Sequence, residues 1–159
     1  MGVRLKKSFA LLKNTVLIDP LSNSKQMRKY LLDTNICVHL LRGRTELRRK
    51  ISSVGWSQCC ISDMTVIELF YGAECSNNVT ETVSLVKDFI SNIEIIPVNV
   101  CIREFSRQKA RLRRLGTPLE DFDLLIGTTA VAMGYIMVTQ NVKHLSRIEN
   151  ICIENWIGS

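Results

Sequence analysis

Histidine is nearly absent from this chain: there are two in 159 residues, His39 and His144. Neither is placed to activate a defined serine or cysteine, so nothing supports a hydrolase that works through a side-chain nucleophile. No apolar stretch approaches the roughly 18–20 uninterrupted residues of a membrane-spanning helix. The six cysteines (Cys37, Cys59, Cys60, Cys75, Cys101, Cys152) show no C-x-x-C spacing and lie mostly inside apolar runs. They read as small core residues of a reducing compartment, which disfavours both a disulfide framework and a zinc site. Aromatic residues are sparse, two Trp, three Tyr and five Phe, enough for packing but not for a base-stacking platform. The apolar stretch near the N-terminus is broken by Lys13, and no small-residue cleavage site follows, so no secretory signal is expected.

What is present is an ordinary globular composition of one-domain length, with 46% apolar and 23% charged residues. The net charge of +6 is unevenly placed. Residues 1–26 carry five basic side chains and one acid, which leaves only +2 for the rest of the chain. That leader contains Pro20 and a Ser-Asn-Ser stretch, and it shows no regular apolar period. It reads as an N-terminal extension, dispensable for folding, ahead of a domain spanning 27–159.

The domain is organised around Lys29-Tyr30-Leu31-Leu32-Asp33-Thr34-Asn35. An apolar run ends at an acid, and Thr34-Asn35 opens helical spacing. This is how a buried parallel strand hands over to a helix, and open α/β sheets place their chemistry beyond such strand ends. A lone Asp33 would be explained as a helix N-cap. Further short apolar strands are predicted at 58–62, 93–98, 135–139 and 151–154, with helices between them. The third strand is expected at an outer position because of its mixed polarity and Pro97. Strands alternating with helices through short connections predict α/β, a three-layer α/β/α domain with a mostly parallel sheet of four to five strands.

Two further acids fall in similar settings. Glu68 lies in the helix after the second strand; with Thr65 as cap it would occupy the capping-box position, which explains an acid there without chemistry. Asp123 opens the very apolar helix that leads into the fourth strand, and Thr139 and Asn141 follow that strand. Hard divalent cations such as Mg²⁺ or Mn²⁺ take carboxylate and water oxygens, and a cation keeps clustered acids ionised. Asp33, Glu68 and Asp123 are therefore the candidate catalytic and metal-holding set, with Asp121 a further candidate ligand. Polyanion contacts are expected from the basic helix 103–114 (Arg103, Arg107, Arg111, Arg114) and from the Arg42–Lys50 cluster.

Leu31-Leu32-Asp33-Thr34-Asn35, Glu68-Leu69-x-Tyr71-Gly72-Ala73-Glu74, Phe122-Asp123-Leu124-Leu125-Ile126, Val138-Thr139-x-Asn141 and the closing Ile153-Glu154-Asn155-Trp156 together resemble the PIN-domain family, specifically its VapC-type toxins. The resemblance implies a Mg²⁺- or Mn²⁺-dependent endoribonuclease that cuts tRNA or ribosomal RNA in the cytoplasm. It implies neutralisation by a small VapB-like antitoxin, contact with DNA only through that antitoxin, and a homodimer. The family's acids fall on Asp33, Glu68 and Asp123, with Asn35 and Thr139 in supporting positions. The chain departs from the pattern at the fourth acid. An Asp or Glu usually stands three residues after the asparagine of the Thr-x-Asn segment, and here that place is His144.

Three alternatives remain open on sequence alone. A degraded PIN-like protein would bind RNA or antitoxin without cutting. A receiver-like module would need paired early acids, which are missing after the second strand. A plain nucleic-acid-binding domain would explain the arginines but leave the acids unexplained.

Overall fold

Tyr30, Leu31 and Leu32 are all buried, as a strand covered on both faces requires. The computed structural model describes residues 28–158, so the extension read over 1–26 lies outside the described residues. The strands are β1 (Tyr30–Leu32), β2 (Cys59–Ser62), β3 (Glu94–Ile96), β4 (Ile136–Val138) and β5 (Cys152–Glu154). They form one sheet in the order β3-β2-β1-β4-β5, parallel at every pairing. Tyr30 stands in register with Cys59 on one side and Ile136 on the other.

The helices are α1 (Thr34–Leu41), α2 (Thr45–Val54), α3 (Asp63–Glu74), α4 (Val79–Ile90), α5 (Ile102–Arg114), α6 (Asp121–Met133) and α7 (Val142–Leu145). Side chains alternate across a strand, and the core divides accordingly. Tyr30 and Leu32 join Ile36, Leu40, Leu47, Ile51 and Phe89 on the face covered by α1 to α4. Leu31 and Met137 join Leu112, Leu124 and Ile126 on the face covered by α5 and α6. Burying a side chain of this size stabilises the fold by about 1.5–3 kcal/mol. The expected three-layer α/β/α architecture is the one found, with five strands and all neighbours parallel.

Strand β3 lies at the sheet edge, where Ile95 is exposed and Pro97 follows the last paired residue. One glycine sets how α6 meets the segment after β4. An added Cβ on Gly127 would stand 2.4 Å from Ile148 Cδ1, so only glycine allows that approach without a shift. Four of the six cysteines are buried as expected, whereas Cys75 and Cys152 are exposed. No helix among the described residues is long and apolar enough to cross a membrane.

Candidate active site

The strand order reverses direction between β1 and β4, and the crevice beyond their carboxyl ends is where the conserved geometry of open α/β sheets admits ligands. Asp33 sits there because its N–H extends the ladder, donating to the Val138 carbonyl at 2.9 Å. It is 5% exposed. Asp33 is indeed the N-cap of α1, accepting the Thr34 N–H on Oδ1 at 2.8 Å. Its other oxygen, however, points into the crevice network. Oδ2 accepts from Asn35 Nδ2 at 2.7 Å and from the Thr139 hydroxyl at 2.6 Å. Thr139 is fully buried, its N–H donating to the Glu154 carbonyl and its Oγ1 accepting the Asn141 N–H at 2.9 Å.

Glu68 arrives from a different register than the sequence predicts. Helix α3 begins at Asp63, capped by Ser62, whose Oγ accepts the Thr65 N–H at 3.1 Å. Glu68 is therefore in the second turn and outside the capping box; the competing structural explanation for this acid is removed. Both Ser62 and Thr65 are able caps, and Ser62 prevails because β2 ends there and its hydroxyl is fully buried. Glu68 Oε2 instead accepts from the Thr34 hydroxyl, across from α1. Thr34 is thus a site residue that sequence reasoning treated only as part of a cap. Its position between Asp33 and Asn35 was the available signal.

Asp123 is the third residue of α6, in the first turn, where the helix dipole favours an anion. It is partly buried, and Oδ2 accepts from Asn141 Nδ2 at 3.1 Å. Thr139 and Asn141, two residues apart, therefore hold Asp33 and Asp123 respectively. Gln140 between them is also tethered. Its N–H donates to Asn35 Oδ1 at 3.3 Å, and its Oε1 meets His39 Nε2 at 2.9 Å. His39 fastens this segment to α1 from the position one turn beyond Asn35.

Burial pushes the Asp33 carboxyl above its ordinary range, opposed by the Thr139 hydroxyl and the Thr34 N–H; the charges of Asp123 and Glu68 push it further up. Burial likewise raises Asp123. The His144 ring pulls it back, Glu120 adds to the rise, and Asn141 opposes it. His144 itself is exposed, yet it stands close enough to act on Asp123. The three acids thus converge on one electrostatic neighbourhood. Among the described residues, no three His, Cys, Asp or Glu side chains are grouped as tightly as around a bound metal ion.

Other predicted residues are placed differently. Asp121 is exposed and paired with Lys109, Nζ donating to Oδ2 at 2.6 Å, so it is not drawn into the cluster. On α5, Arg107 bridges Glu104 (2.7 Å) and Glu149 (2.6 Å). Arg111 is half-buried, donating to the Arg147 carbonyl at 3.1 Å, while Arg103 and Arg114 are exposed.

Known proteins match this chain in sequence and in fold. A protein-family model described as PIN domain matches residues 30–150. The tRNA(fMet)-specific endonuclease VapC of Salmonella typhimurium is 35% identical over 131 residues, covering 82% of this chain and 99% of that protein. Ribonuclease VapC2 of Haemophilus influenzae is 32% identical over 136 residues, covering 82% of this chain and all of that protein. Among solved structures, DNA-bound VapBC from Salmonella typhimurium aligns with a TM-score of 0.76 at 33% identity, over 81% of this chain and 98% of that one. VapBC2 from Rickettsia felis, bound to a promoter DNA fragment, aligns with a TM-score of 0.74 at 30% identity, over 80% and 98%. The crevice acids, the parallel sheet that positions them and the span of these matches lead to one conclusion: the chain belongs to the PIN-domain family, in its VapC branch.

Proposed function

We propose that this chain is the toxin of a toxin–antitoxin pair, an endoribonuclease that hydrolyses RNA phosphodiester bonds with Mg²⁺ or Mn²⁺ held by Asp33, Glu68 and Asp123. The observation that carries the reading is the convergence of three acids from three elements, each held by its own partner: Asp33 by Thr139 and Asn35, Glu68 by Thr34, Asp123 by Asn141. The donors fit such a cation. They are all oxygens, the buried Asp33 and the partly buried Asp123 are both pushed toward protonation, and a divalent cation is what would keep them ionised. The chemistry a bound cation supplies is charge stabilisation on the phosphodiester and a lowered pKa for water.

The chain's own residues do the remaining work. The Thr139 hydroxyl and Thr34 N–H favour the ionised form of Asp33 and fix its orientation. Asn35 spans both elements, donating to Asp33 and accepting from Gln140. Asn141 sets the rotamer of Asp123. The tRNA(fMet)-specific endonuclease among the relatives supports tRNA as substrate, and the VapBC structures support a VapB-like antitoxin as partner. We extend the proposal to ribosomal RNA as an alternative substrate, action in the cytoplasm as a homodimer, and contact with DNA only through the antitoxin.

The test is cleavage of purified tRNA and ribosomal RNA in Mg²⁺, in Mn²⁺ and in EDTA, with the new ends mapped. Discrete ends that require the cation are expected; cleavage that survives EDTA would refute the metal assignment. A second reading is favoured by His144 at the fourth-acid position and by Asp121 being held by Lys109. In it, the protein binds RNA or antitoxin without cutting. Tight RNA binding with no cleavage in either cation is its signature.

A further inference from the structure

The basic side chains fall into two groups with opposite surroundings. On α5 much of the charge is met inside the molecule. Arg107 is shared between two glutamates, Lys109 is paired with Asp121, and Arg111 is tied to a backbone carbonyl. The elbow joining α1 to α2 differs. Arg42, Arg44, Arg48, Arg49 and Lys50 stand there against a single acid, Glu46. All but Arg48 are exposed, and none of the five is ion-paired within the described residues. The turn is tight, with Gly43 at φ +85°, and Arg48 reaches back over it: an added Cβ on Gly43 would lie 3.7 Å from Arg48 Nη2. Lys50 Nζ lies over the Trp156 ring, 5.7 Å from its centre, whereas Arg42, Arg44 and Arg48 are gathered at one point.

That point is rigidly tied to the carboxylates. Helix α1 has Asp33 as its N-cap and Arg42 as its C-cap. The eight-residue helix between them, about nine rises of 1.5 Å from cap to cap, places them roughly 13 Å apart along its axis. A nucleic-acid strand covers that distance with about two to four nucleotides, depending on how far it is stretched beyond the duplex rise. Guanidinium groups also match phosphate geometry through paired donors.

We propose that the α1–α2 elbow is the RNA-docking surface of this chain. A strand with its scissile phosphate at the Asp33 cluster runs along α1 and sets its neighbouring phosphates on Arg42, Arg44 and Arg49. This rests on the ribonuclease reading of the site, and it moves the main polyanion contact away from α5.

The experiment measures the dissociation constant of the full chain for a 20-nucleotide oligouridylate and for unfractionated tRNA, in EDTA, against KCl concentration. Each phosphate contact on a single strand contributes about 0.7 to the slope of log affinity on log salt. The triple variant Arg42→Ala, Arg44→Ala, Arg49→Ala should lower that slope by about 2 for oligouridylate, a loss of roughly a hundredfold at 0.1 M salt. The matching lysine triple should keep the slope. The α5 triple Arg103→Ala, Arg113→Ala, Arg114→Ala should change affinity by less than about threefold. All six positions are exposed, and melting curves report whether each variant folds. An unchanged slope in the elbow variant, or an equal fall in the α5 variant, overturns the proposal. So does a variant that loses antitoxin while binding RNA normally, since the elbow would then serve a protein partner. Failure of the unmodified chain to bind either RNA at any salt concentration would overturn the ribonuclease reading as well.

Discussion

Replacing Thr139 with valine removes one hydroxyl and almost no volume, at a position with no solvent exposure. The hydroxyl donates to Asp33 Oδ2 at 2.6 Å and accepts the Asn141 N–H at 2.9 Å. A hydrogen bond to a charged group is worth about 1.5–3 kcal/mol, and an orphaned donor costs about 1–3 kcal/mol. Asn141 is only partly buried, so its loss falls at the low end. The expected destabilisation at pH 7 is about 3 kcal/mol, or roughly 6–12 °C in Tm for a chain of this size. The pH dependence makes the test specific. Asp33 is pushed up by burial, so between the ordinary carboxylate range and its raised one the native state holds more protons than the unfolded chain. Metal-free stability therefore falls as pH rises through that window. The Thr139 bond opposes the rise, and its contribution is present above the native titration of Asp33 and lost as pH falls through it. The valine deficit should accordingly shrink in acid. Urea unfolding in EDTA at pH 7 and pH 4 measures it, with unchanged m values as the check on two-state behaviour. Thr139→Ser keeps the hydroxyl and should lose only about 0.8 kcal/mol for one methyl group. A valine deficit equal at both pH values, or no larger than that of serine, would refute the reasoning.

Three further outcomes are expected. Asp123→Asn should leave Tm in EDTA unchanged or raised, because it removes a charge that burial disfavours, and should abolish both cleavage and the rise in Tm that Mn²⁺ is expected to give the parent chain. Ser62→Ala should cost about 1 kcal/mol as a lost N-cap, whereas Glu68→Gln should melt within about 0.5 kcal/mol of the parent yet be inactive; a reversed order would return Glu68 to a structural role. His144→Asp replaces a group that pulls the Asp123 carboxyl down by one that pushes it up, and it restores the family's fourth acid. Mg²⁺-dependent cleavage should rise relative to Mn²⁺ across pH 6–8, and an unchanged metal preference and pH profile would remove His144 from the site.

Much of this molecule is determined by local sequence. The apolar run 30–32 ending at Asp33, the helix over Val79–Ile90, and the outer place of β3 before Pro97 all follow from periodicity, caps and the missing proline donor. These are free energies settled within a few residues. Which acids come together was also legible, because strand ends in an α/β sheet have few other uses for carboxylates. Their partners were not. Thr34 and Glu68 are 34 residues apart, and Thr139 and Asp33 are 106 apart; each pair meets only because β4 and β2 flank β1. The same holds for charge. Arg107 and Arg42 look alike along the chain, but Arg107 is met by Glu149, 42 residues away, while no cation of the elbow is ion-paired within the described residues. Spacing reports which face of an element a side chain occupies. What stands opposite that face is decided by strand order and layer packing, and only the tertiary structure carries it.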